Sequence, residues 1–161
     1  MAERTRAIVI GGGVAGASIA YHLTELGWQD VLLIERADHP GYWQSVTGSQ
    51  NEGETLEQTA VREVGEETGI DAAQFELRNW HKQSDFEIYR IWRHRYAPGV
   101  THNTEHVFSL EVPGRLPIRL APREHLQHVW LPYEKAAALC FSHTNREAIL
   151  ELPARRKRRE P

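Results

Sequence analysis

At 161 residues the chain is long enough to bury one core, and 19 basic against 22 acidic side chains, a formal charge of −3, give no global reason to expect nucleic-acid binding. A single cysteine, Cys140, excludes an intrachain disulfide and fits a reducing, cytoplasmic setting. No apolar run reaches the roughly 18 residues of a membrane helix, and three consecutive glycines argue against a secretory signal near the N-terminus, so neither a nucleic-acid nor a membrane partner is expected.

In chain order, residues 7–10 read as a buried strand. Gly11, Gly13 and Gly16 follow in G-x-G-x-x-G spacing, and residues 14–26 read as a helix closed by Gly27. Residues 31–34 form a second apolar strand ending at Glu35. Strand, glycine turn, helix, strand and acid together make a dinucleotide fingerprint. The stretch resembles the amino terminus of FAD-dependent amine or amino-acid oxidoreductases. The resemblance implies that the glycines approach a pyrophosphate and that Glu35 takes ribose hydroxyls. A flavin site needs the rest of a doubly wound sheet, and this chain departs from that pattern straight after Glu35. We therefore read residues 1–36 as a Rossmann-like βαβ fragment and expect no bound FAD. A helical crossover also predicts that residues 7–10 and 31–34 pair in parallel.

His39-Pro40-Gly41 marks a turn and residues 42–47 a strand. A helix is predicted from near Thr55, stopped by Gly69. At about 100° per residue, Glu63, Glu66 and Glu67 fall within roughly a 100° sector, beside an apolar stripe of Leu56, Ala60 and Val64. Stacked like charges destabilise a helix by up to about 0.5 kcal/mol, so a compensating cation is expected, and hard oxygen ligands suit Mg²⁺ or Mn²⁺. A solvated acidic face is the competing reading of the three carboxylates alone.

The surrounding pattern narrows the choice. Gly48, five residues, Glu54, seven residues, Arg62-Glu63, then Val64, Glu66-Glu67, Gly69 and Ile70 match every position of the signature of the Nudix hydrolases. The flanks GYWQSVTGS, FEIYRIWRHRYAPGVTHNTEHVFSLEVP and REHLQHVWLPYEKAAAL resemble the dihydroneopterin triphosphate pyrophosphohydrolases of that superfamily, from about residue 31 to about residue 149. The resemblance implies an α/β/α sandwich with a mixed sheet over residues 37–152. Strand 31–35 would be shared with the N-terminal fragment, which replaces the usual first strand.

It further implies metal-assisted hydrolysis of a diphosphate linkage in a small-molecule triphosphate, dihydroneopterin triphosphate giving the monophosphate and pyrophosphate. In that scheme Glu63 and Glu67 bind the metal and Glu124 completes the set or positions the base. Glu66 is a further ligand or the base, and Arg62 orients the glutamates. Glu54 ties the loop to the helix or binds a second metal, while Gly48 and Gly53 allow a tight loop. Trp43 lines the pocket or belongs to the core. Two other readings stay open: an FAD- or NAD-binding oxidoreductase fragment, and a chimera without turnover.

Residues 75–83 and 86–96 are further strand candidates. On the second, Arg90, Trp92, His94 and Tyr96 would share one face and Ile91, Arg93 and Arg95 the other, with the arginines able to bind phosphates. Residues 106–112, 117–120 and 129–131 also read as strands. The pairs His102/His106 and His125/His128 fall in loop or strand, so no zinc site is expected. Pro132 opens a helix over residues 133–139, and Thr144-Asn145-Arg146-Glu147 reads as a capping box for a last helix ending near Leu152. Residues 153–161 read as a basic, disordered tail.

Overall fold

The computed structural model describes residues 6–10, 16–19 and 30–157. The elements, in order, are β1 (Arg6–Ile10), β2 (Gly16–Ile19), β3 (Asp30–Arg36), β4 (Trp43–Gln44), β5 (Thr47–Gly48), α1 (Leu56–Thr68), β6 (Glu76–Glu87), β7 (His102–Val112), β8 (His125–Pro132), α2 (Tyr133–Leu139) and α3 (His143–Lys157).

Among the described residues the eight strands form one mixed sheet. β1 lies between β3, with Ala7 opposite Val31 and Ile8 opposite Leu32 in parallel, and β7, with Ile8 opposite Leu110 in antiparallel register. The expected parallel pair is therefore present. Within the predicted helix over residues 14–26, the described residues Gly16–Ile19 form β2 instead, parallel to β7 and antiparallel to β5. The local helical pattern gives way because the backbone groups of β5 and β7 are satisfied by a strand between them, and propensity is a weak prior against tertiary pairing. Gly11, Gly13 and the rest of that predicted helix lie outside the described residues.

β3 is buried on both faces, which explains its unbroken apolar run. Leu32 and Ile34 meet Ala60 and Val64 of α1, Phe108 and Leu110 of β7, and Trp130 of β8. Val31 and Leu33 face the opposite layer, with Ala136 and Ala137 of α2 and Ala148, Ile149 and Leu152 of α3. The result is the expected sandwich, with α1 on one side of the sheet and α2 with α3 on the other.

Three expectations need correction. Residues 86–96 are not one strand: β6 ends at Glu87 and Arg90–Arg95 wind a 3-10 turn, so the two-face alternation of the arginines is absent. Among the described residues, 117–120 pair with no strand; Leu116, Ile118 and Leu120 still pack on the core, and the Arg119 amide donates to Thr68 O at 2.8 Å at the end of α1. α3 begins two residues earlier than a Thr144 cap would set it, at His143. Ser142 O accepts the Arg146 amide at 3.0 Å, and Thr144, the predicted cap, gives its hydroxyl to Glu105 instead. The helix continues through Pro153 to Lys157, and Arg155 lies 4.6 Å from the Trp80 ring centroid. No helix among the described residues is long and apolar enough to cross a membrane.

Candidate active site

α1 is fixed at both ends by its own sequence. Thr55 Oγ1 accepts the Gln58 amide at 3.2 Å while Gln58 Oε1 accepts the Thr55 amide at 2.8 Å, a reciprocal cap. Gly69 ends the helix at φ 73°, which glycine adopts without strain. Burial of Ala60 and Val64 then fixes the roll of the helix and presents Arg62, Glu63, Glu66 and Glu67 along its other edge.

Arg62 is the hub. Its Nε and Nη2 donate to the two carboxylate oxygens of Glu54 at 2.7 and 3.0 Å. Nη1 donates to Glu63 at 2.7 Å and to Glu66 at 3.0 Å, and Nη2 also reaches Ser49 O at 2.8 Å. A planar fork of five donors is what such a cluster requires. Hydrogen bonding from Arg62 comes first among the causes that lower the Glu54 carboxyl to about 2.

The neighbouring carboxylates are in the opposite situation. Burial pushes Glu63 up to about 7, with Arg62 opposing and Glu67 and Glu66 adding repulsion. Burial likewise raises Glu67, against the pull of His125. Glu67 Oε2 accepts the Thr47 amide at 2.9 Å, and His125 Nε2 lies 2.8 Å from Oε1. Ligand atoms of Glu67, Glu124 and His125 lie within 4.8 Å of one another. The predicted residues thus fall into two adjoining groups, Glu54, Glu63 and Glu66 around Arg62, and Glu67 with Glu124 beside His125.

Both groups open on a cavity of about 450 Å³. Its far wall is aromatic: Tyr89, Trp92 and Phe141 meet with ring centroids 5.5 to 5.8 Å apart, and Tyr42 stacks on Phe141 at 4.9 Å. Arg36 sits 4.4 Å from the Trp92 centroid and is clamped by both oxygens of Asp38, which also accepts from Trp92 Nε1 and Arg95. Burial works against the charge of Asp38, but Arg36, Trp92 and Arg95 outweigh it and hold the carboxyl well below the usual range. The tryptophan lining the cavity is Trp92. Trp43 packs against the core beneath α2 and α3.

Glu35 is turned inward. Its carboxylate accepts the Gly41 amide at 2.6 Å and Gln127 Nε2 at 2.7 Å, tying the turn after β3 to β8. Gly16 lies in β2. Neither forms part of a glycine turn at a helix start, as the dinucleotide fingerprint requires. Sequence reasoning overlooked His125, placed in a loop although it opens β8, and Glu105, whose signal was an acid at an inward position of the strand that also carries Val107 and Ser109.

A helix bearing three clustered carboxylates and their arginine, with a fourth carboxylate on the loop before it, laid across a mixed sheet beside a cavity, defines a class of metal-assisted phosphohydrolase. The NUDIX domain matches residues 17–152, and the chain belongs to the Nudix family of hydrolases. That match gives no support to a flavin-oxidoreductase fragment at the N-terminus. The chain is 50% identical over 121 residues to dihydroneopterin triphosphate diphosphatase of Escherichia coli K12, covering 74% of this chain and 79% of that one. It is 39% identical over 121 residues to the Haemophilus influenzae enzyme of the same name, covering 74% and 75%. The solved structure of the E. coli dihydroneopterin triphosphate pyrophosphohydrolase superposes with a TM-score of 0.75 at 43% identity, covering 91% of this chain and 92% of that one.

Proposed function

We propose that the protein hydrolyses dihydroneopterin triphosphate to the monophosphate and pyrophosphate in the cytoplasm, with Mg²⁺ or Mn²⁺ as its cation. The observation that carries this reading is the placing of Glu63, Glu66 and Glu67 at the mouth of a cavity whose far wall is aromatic, in a chain half identical over 121 residues to an enzyme of that name.

The residues fit a divalent cation. Glu63 and Glu67 are pushed toward neutrality by burial, a tension that a bound cation relieves. Arg62 is already committed to Glu54, Glu63 and Glu66. The buried His125 Nδ1 has no hydrogen-bond partner among the described residues. Glu63, Glu67 and Glu124 would hold the ion, which when bound neutralises charge on the phosphoryl oxygens and lowers the pKa of the attacking water.

The chain's own groups do the rest. Arg62 holds the glutamates in one arrangement. Glu66, more than half exposed and held by a single arginine nitrogen, is placed to take the proton of the attacking water. Thr47 and His125 fix both oxygens of Glu67, and the aromatic wall holds a flat ring while the phosphates reach the carboxylates.

Pyrophosphate release from dihydroneopterin triphosphate, measured with added Mg²⁺ and with chelator, tests the reading. Mg²⁺-dependent turnover supports it, and the absence of turnover at saturating Mg²⁺ overturns it.

A further inference from the structure

The cavity contains a carboxylate that the chemistry above does not use. Glu105 sits on β7, on the face it shares with Val107 and Ser109, and only 4% of it is exposed. It belongs to the cavity lining, on the layer of α3 rather than that of α1. Thr144 Oγ1 donates to its Oε2 at 2.9 Å and Asn145 Nδ2 to its Oε1 at 3.1 Å.

The orientation of Asn145 is forced. Its Oδ1 faces the Ser45 backbone amide at 3.3 Å and the Ser45 hydroxyl at 2.6 Å. A backbone N–H can only donate, so Oδ1 must be the accepting end and Nδ2 must point at Glu105. Thr144 is in turn 3.0 Å from Ser142 Oγ. The donors are therefore ordered to present Glu105 as an acceptor. An inward carboxylate is costly to bury, and Glu105 lies on the face where its neighbour Val107 is apolar.

We propose that Glu105, oriented by Asn145 and Thr144, selects the ring of the substrate by accepting hydrogen bonds from two adjacent donors on its edge, a ring N–H and an exocyclic amino group. A carboxylate matches two parallel N–H donors bidentately. The 2-amino-4-oxopyrimidine edge offers that pair. Hypoxanthine lacks the amino group, and adenine sets a donor beside an acceptor. The aromatic wall holds the ring's faces and Glu105 reads its edge. This rests on the triphosphate hydrolysis proposed above.

The test compares GTP with ITP, which differ only by the 2-amino group, on the full chain with Mg²⁺. The wild type is expected to favour GTP in kcat/KM by about tenfold or more, since a site built to bond an N–H rejects the analogue lacking it. Glu105→Gln is expected to bring the ratio close to one. A wild-type ratio near one overturns the proposal, as does a folded Glu105→Gln, checked by its Tm, that keeps the wild-type ratio. Quenching of tryptophan fluorescence by guanosine and by inosine removes the dependence on turnover and needs no variant. If no triphosphate is hydrolysed but guanosine binds more tightly than inosine, the ring selection stands and only the hydrolase reading fails. Equal binding of the two nucleosides overturns the selection.

Discussion

A Cβ built on Gly48 would lie 1.6 Å from Glu63 Cδ and 2.1 Å from its Cγ. The glycine is required by the space the glutamate occupies, because its backbone is the floor on which Glu63 rests. Gly48→Ala must push Glu63 off Arg62. We expect activity to fall at least about tenfold and stability by about 1–3 kcal/mol, as for overpacking. Gly53 differs, with φ 80° and nothing within 4 Å of a Cβ. Gly53→Ala should cost only backbone strain, about 1 kcal/mol, with turnover less affected. Urea melts and pyrophosphate release on both variants separate the two mechanisms.

Glu67→Gln should abolish Mg²⁺-dependent turnover without unfolding the protein. Its amide oxygen can keep the Thr47 N–H, and its amide nitrogen can donate to His125 Nε2 once the imidazole proton moves to Nδ1, which has no protein partner among the described residues. Removing a buried carboxylate also removes its desolvation penalty. The metal-free Tm should hold or rise, while activity falls at least about a hundredfold, since outer partners of metal ligands alone are worth 10–100-fold. Glu57→Gln, on the same helix but bonded to Asn79, should be silent. Near-wild-type activity in Glu67→Gln would remove Glu67 from the site.

Arg62→Lys is not conservative here. Lysine supplies three donors from one nitrogen where Arg62 serves Glu54, Glu63, Glu66 and Ser49 from three. A loss of about 2 kcal/mol is expected from charge-assisted bonds at this degree of exposure, with a fall in kcat that added Mg²⁺ does not restore. Calorimetry and kinetics over a range of Mg²⁺ concentration check both halves.

The Asp38 clamp predicts a pH dependence with a definite sign. Its folded carboxyl lies below its unfolded value, so its stabilisation is present above the unfolded value, about 4, and is lost as pH falls through the folded one. The Tm difference between wild type and Asp38→Asn should be full near pH 6 and shrink progressively below about pH 4. A difference that grows on acidification would refute the clamp.

Where local physics decides structure, the sequence was legible. α1 runs between the Thr55 cap and the Gly69 stop because both ends are closed by neighbours in sequence, and α2 matches its predicted bounds behind Pro132. The site residues on α1 follow from a 3.6-residue period. The misses depend on distant partners. Residues 86–96 carry strand-forming residues, yet Trp92 leaves any ladder because Asp38, 54 positions away, accepts its indole N–H. Thr144 is a good cap on paper, but Glu105 takes its hydroxyl. Gly16–Ile19 became a strand between β5 and β7. His125 and Glu105 matter through the pairs Glu67–His125 and Glu105–Asn145, which no local window contains.

The distances along the chain also set an order of events. Arg6 lies opposite Val112 in the sheet, and Ser45 holds Asn145 across 100 positions. Contacts of such separation close late and make folding slow relative to helical proteins. On a growing polypeptide, β1 waits for β7, and the side chains that orient Glu105 arrive only with α3. A chain arrested after residue 142 would already contain all of α1 while lacking Thr144 and Asn145. Chemical capability is therefore encoded before discrimination, and the final helix turns a general phosphohydrolase surface into a selective one.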